Sequence, residues 1–125
     1  MDSVCTTYFL SVPMRDKTRE EIEAMIDEMG DAIVEWDRNR STLIPCVRHA
    51  YNPDNHNMSA VRALGHSIMC MDGSDYVVFW NYSCYDSKYR GCNVEHYVAL
   101  RYGMKCLNYN SVTKRIEELH GGYSC

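Results

Sequence analysis

"DYVVFWNYSCYDSKYRGCNVEHYVALRYGMKCL", residues 75–107, reads as strand, loop, helix and strand in turn. "DYVVFW" (75–80) is almost unbroken β-branched and aromatic sequence, as expected of a strand buried in a sheet. Residues 81–91 are polar and rich in tyrosine, a loop. Gly91 and Cys92 then read as a turn and Asn93 as a helix cap. Glu95 would fall in the first turn of a short helix that Gly103 closes, and Met104–Leu107 starts the next strand. Glu95, the single carboxylate of residues 90–107, is what asks for an explanation. A glutamate at a helix start complements the positive end of the dipole. The same strand–loop–helix junction is also where α/β proteins place their chemistry.

The pattern repeats outward. Residues 4–12, "VCTTYFLSV", are apolar enough for a buried strand that Pro13 ends, and "MRDK" follows as a loop. Thr18-x-x-Glu21 is a capping-box signature. Ile22, Met25, Ile26, Met29, Ile33 and Trp36 continue it at helical spacing to about Arg38. "TLIPCV" (42–47) is a short strand whose Pro45 suggests an edge or a strand end. Residues 48–57 are polar and turn-rich, and a second helix fits 58–71 with Val61, Leu64, Ile68 and Met71 inward. A last helix is expected near 111–119. Strands alternating with helices predict a parallel sheet covered on both faces. Residues 1–120 make one domain and 121–125 a tail.

Composition narrows the function. The 125 residues carry a net charge of −4, which argues against a nucleic-acid polymer as partner. Seven cysteines, odd in number and without a C-x-x-C pair, read as reduced thiols in a cytoplasmic protein. No run approaches the roughly 18 apolar residues of a membrane span. The histidines are scattered without ligand spacing, so no metal or other cofactor is expected. Neither G-x-G-x-x-G nor G-x-x-x-x-G-K-[ST] is present. Ten tyrosines exceed the needs of such a core and suggest a pocket or a subunit interface.

Ligands of parallel α/β sheets bind beyond the carboxyl ends of the strands. There the loops 11–17 and 81–93 would converge with the start of the Glu95 helix. Tyr8 lies on the first strand and Asp75 opens the third. Two carboxylates and a phenol in one cleft would suit chemistry at a sugar carbon, one carboxylate attacking while another acid serves the leaving group. Structural roles compete for each: a turn for Asp75, core packing for Tyr8.

"YFLSVPMRDKTREEI", "ALGHSIMCMDGSDYVVFW" and "RGCNVEHYVALRYGMKCL" resemble three blocks of the nucleoside 2-deoxyribosyltransferase-like superfamily. The resemblance is strongest to a branch of small bacterial and phage proteins related to nucleoside 5′-monophosphate N-glycosidases. It covers about half of the chain and is most specific in the third block. It implies a flavodoxin-like three-layer α/β/α sandwich and a homodimer or higher homo-oligomer. It also implies cleavage of an N-glycosidic bond, by hydrolysis or by transfer of the sugar to another base. Glu95 matches the family nucleophile, Asp75 the acid that contacts the base, and Tyr8 the tyrosine that orients the nucleophile. Arg15 and Arg90 are candidates for a 5′-phosphate, with the amides of Gly91–Asn93 beside them. Ser11 and Asn93 are candidates for sugar hydroxyls, Trp80 for the base, and Met14 for the substrate-facing loop.

The chain also departs from the family. The loop from Tyr8 to Arg15 is one residue longer than in the nucleotide N-glycosidases. The phosphate-binding serine has no clear match among Ser83, Ser87 and Tyr89, and the insert 48–57 is unlike the well-studied enzymes. A rival reading keeps the cleft without turnover: a protein that sequesters a nucleotide or an NAD-derived signal, as a phage-encoded protein acting on host defence would.

Overall fold

The computed structural model describes residues 5–40, 44–54, 59–82 and 90–119, with the side chain of Arg90 excepted. The elements are β1 (Cys5–Ser11), α1 (Arg19–Arg38), β2 (Ile44–His49), α2 (Ala60–Met71), β3 (Tyr76–Trp80), α3 (Arg90–Arg101), β4 (Lys105–Asn110) and β5 (Arg115–Glu118). They form a five-stranded sheet in the order β2-β1-β3-β4-β5. β2, β1, β3 and β4 run parallel, and β5 pairs antiparallel with β4. The fold is therefore mixed α/β with a mostly parallel sheet. β2 pairs only with β1, so Pro45 does sit on an edge strand.

The expected helix at 111–119 is instead a turn and a strand. Asn110 is the cause: its Oδ1 accepts from the amides of Val112 and Thr113, and its carbonyl accepts from Lys114 at 2.8 Å. That tight cap satisfies the backbone locally and competes with a helix. Lys114, at φ 63°, turns the chain back. Ile116 can then point inward while Arg115 and Glu117 face out.

Alternation along the strands divides the core in two. Tyr8, Leu10, Val78, Leu107 and Tyr109 pack with Ile22, Met25, Met29 and Ile33 of α1. Phe9, Val77 and Phe79 pack with Met71 of α2 and with Cys92 and Ala99 of α3. The Thr18–Glu21 capping box opens α1, with both reciprocal bonds made. Gly103, at φ 76°, closes α3; its amide reaches Leu100 and that of Met104 reaches Ala99. This is the paired closure that glycine's left-handed conformation permits. Val61, expected inward, is 80% exposed on α2, whereas Leu64, Ile68 and Met71 turn towards the sheet.

Candidate active site

The site is built where β1 ends. Odd-numbered residues of β1 face α2 and α3, so Ser11 follows Phe9 to that side. Its hydroxyl, 1% exposed, donates to Oε1 of Glu95 at 2.5 Å. Ser67, on the inward side of α2, donates to Oε2 of the same carboxylate. Cys92, one turn before Glu95 on α3, brings its sulfur to 3.3 Å from the Ser11 oxygen. Three elements thus close on one carboxylate that is 5% exposed.

α3 begins at Arg90, earlier than the sequence suggests, so Asn93 lies inside the helix and is not its cap. Glu95 is accordingly beyond the first turn, where the dipole has little effect. Burial pushes the Glu95 carboxyl above the ordinary carboxylate range, and the Ser11 and Ser67 hydroxyls pull it back. Burial, then the Glu95 charge, push the Cys92 thiol up to about 12. That sulfur stays protonated and is no nucleophile at neutral pH.

A second polar set lies alongside. The Tyr82 hydroxyl donates to Asn93 Oδ1 at 2.5 Å and stands 3.2 Å from Nδ1 of His96. The Tyr82 ring stacks on Phe79, and its amide donates to Asn108 Oδ1 at 2.9 Å. His96 is buried, which lowers its pKa and keeps the ring neutral. Asn93 therefore fixes Tyr82 just past the end of β3.

Two expected partners of Glu95 lie elsewhere. Tyr8 faces the α1 side, where its hydroxyl donates to Oδ1 of the buried Asp37 at 2.6 Å and its ring stacks on Tyr76. It does not touch Glu95. Asp75 stands before β3, at the amino end of the strands. Its Oδ2 accepts from the Thr7 amide at 2.8 Å, and its own amide donates to the Thr7 carbonyl at 2.9 Å. Thr7 and Ser11 are four residues apart on β1, roughly 13 Å at about 3.3 Å per residue. Asp75 thus caps the sheet edge away from Glu95.

Of the proposed binding residues, Ser11 and Asn93 stand at the site. Gly91 is exposed in the first turn of α3, with nothing within 4 Å of where a side chain would begin. Arg90 opens α3; its side chain lies outside the described residues, as do Ser83, Ser87 and Tyr89. Arg15 is exposed in the turn after β1, which the left-handed Asp16 shapes, while Met14 and Trp80 pack against the α1-side core. Trp80 leans on Tyr109, ring centres 5.1 Å apart. Ser67, Cys92, Tyr82 and His96 were not anticipated. Helical spacing held a signal for two of them: Ser67 falls between Leu64 and Met71 on the inward side of α2, and Cys92 precedes Glu95 by three.

Among the described residues, no three His, Cys, Asp or Glu side chains stand close enough to hold a metal ion, and no helix is long and apolar enough to cross a membrane. None of the five described cysteines is in a disulfide. In comparisons with known proteins, no family model, curated protein or solved structure matches this chain.

Proposed function

We propose that this chain is a flavodoxin-like, three-layer α/β/α enzyme that cleaves the N-glycosidic bond of a nucleotide or nucleoside, with Glu95 as nucleophile. The observation that carries this reading is a buried carboxylate held at both oxygens by serine hydroxyls at the carboxyl end of β1. Ligands of parallel sheets bind at that end. The two hydroxyls favour the charged form and fix its direction, as an attacking carboxylate requires. Oε2, whose bond from Ser67 is only partly buried whereas that from Ser11 to Oε1 is buried, attacks the anomeric carbon as the bond to the base nitrogen breaks. The base leaves with that electron pair and takes a proton from water, since Asp75 faces the other end of the sheet. Water then cleaves the glycosyl ester, and a second base in its place gives transfer. Arg15 and Arg90 favour a 5′-monophosphate and hydrolysis, with the Gly91 end of α3 offering amides to the phosphate. In a cytoplasmic homodimer or higher homo-oligomer, Asn93 through Tyr82 would shape one wall, whereas Met14 and Trp80, on the α1 side, take no part.

The test is incubation with a panel of ribo- and deoxyribonucleotides and their nucleosides, with free base separated by chromatography. Base release by the wild type and none by Glu95→Gln is the expected outcome. A Glu95→Gln variant that turns over at the wild-type rate overturns the assignment. One observation favours a second reading, a nucleotide-binding protein without turnover: both Glu95 oxygens already have donors, and burial opposes its charge. Saturable nucleotide binding with no base release would select that reading.

A further inference from the structure

A cleft of about 850 Å³ opens at the opposite end of the sheet from Glu95, between the amino ends of β1, β3 and β4 and the last turns of α2 and α3. Its volume is within the range of small-molecule sites. Ile68, Val98 and Met104 contribute apolar lining, and Tyr76 and Tyr102 also border it. Three charged side chains line it: Asp72, Asp75 and Lys105.

All three are exposed at the mouth of the cleft. Among the described residues, none of the three makes an ion pair, although charges of both signs share one cleft. Asp75 uses Oδ2 on the Thr7 amide and keeps Oδ1 without a hydrogen bond. The Lys105 ammonium lies 5.8 Å from the centre of the Tyr76 ring, held by the ring face and not by a carboxylate. The nearby Arg48 guanidinium is engaged with the Asp72 carbonyl at 2.8 Å, leaving the Asp72 carboxylate unused. α2 ends here with no basic residue in its last turn, which adds negative potential beside the two carboxylates.

We infer that this cleft binds a zwitterion with an apolar side chain, of the α-amino acid class. The ammonium of such a ligand meets Asp72 and Asp75, its carboxylate meets Lys105, and its side chain covers Ile68, Val98 and Met104. A simple amine would leave Lys105 unpaired and facing a like charge. A simple carboxylate would face the two aspartates. Only a ligand with both charges matches all three groups, and each charge-assisted contact in a partly solvated cleft is worth about tenfold in affinity.

Calorimetry on the full chain with L-phenylalanine as probe, beside 2-phenylethylamine and 3-phenylpropionate, tests this. L-phenylalanine should bind saturably, and each analogue at least about fivefold more weakly. Lys105→Met and Asp72→Asn alter exposed side chains and should leave the fold intact, as circular dichroism checks. Lys105→Met should bring L-phenylalanine down to the level of the amine, and Asp72→Asn should bring it towards that of the acid. Saturable binding of L-leucine in place of L-phenylalanine, with the same response to both variants, also supports the site. Absence of saturable binding by either amino acid, equal binding of the three phenyl compounds, or binding unchanged in both folded variants overturns the inference.

Discussion

Removing the Ser11 hydroxyl should weaken the protein in a way that depends on pH. Ser11 is buried and donates to Oε1 of a carboxylate that is itself buried, so Ser11→Ala leaves a low-dielectric charge with one donor fewer. A hydrogen bond to a charged group contributes about 1.5–3 kcal/mol, and water has little room to replace it. At neutral pH the variant should therefore lose about 2 kcal/mol of unfolding free energy, near the charged-group average. The sign with pH follows from Glu95. Burial already holds its folded-state pKa above the ordinary value, and loss of a donor raises it further. A group raised on folding favours the native state below its unfolded pKa, and that contribution is lost as pH rises through the folded value. The cost of Ser11→Ala should thus be largest at neutral pH and shrink as the carboxyl takes a proton at lower pH. Urea denaturation of wild type, Ser11→Ala, Glu95→Gln and the double variant, at pH 7.5 and near pH 5, measures this as a double-mutant cycle. Glu95→Gln alone should be relatively more stable at pH 7.5 than at pH 5, because it removes the buried charge. A Ser11→Ala cost that is the same at both pH values, or below about 0.5 kcal/mol, refutes a serine clamp on an ionised Glu95.

Tyr8→Phe should destabilise the fold by about 1–3 kcal/mol, because it strips the buried Asp37 carboxylate of its donor. Base release should be untouched in the folded fraction; a loss of kcat without loss of stability would return Tyr8 to the reaction. Cys92 should resist iodoacetamide at pH 8 in the native protein and react only on unfolding, given its burial and a pKa of about 12. Peptide mapping of the alkylated chain checks it, and rapid native labelling of Cys92 would show that the Glu95 pocket opens to solvent.

Legibility of the fold followed the strength of local signals. The Thr18–Glu21 box and Gly103 each specify backbone hydrogen bonds by themselves, so α1 began and α3 ended where the sequence suggested. The sequence points to a later start for α3 than Arg90 because Asn93 is a good cap by type. Its oxygen is instead taken by Tyr82, a contact between residues eleven apart that no periodicity encodes. The segment after β4 failed for a related reason: Asn110 caps its own turn, and β5 gains a neighbour in β4 that only the folded sheet supplies. A pattern such as "RIEE" is too short to choose its state alone.

The candidate site divides along a simple geometric line. Strand residues at even separation share a face, and those at odd separation do not. Ser11 and Tyr8 are three apart on β1, so any helix that meets one is hidden from the other by the sheet. Placing Glu95 on the helix that reaches Ser11 therefore already excludes Tyr8 as its partner, and the Asp37 contact is what occupies that phenol instead. Direction does the same for Asp75. It precedes β3, and in a parallel sheet every residue before a strand lies at the amino edge, away from the loops that follow the strands. Both exclusions needed only the strand assignments and the alternation rule. The pairing of Ser67 with Glu95 needed more, because it depends on how α2 lies against α3, which helical spacing on each alone does not fix.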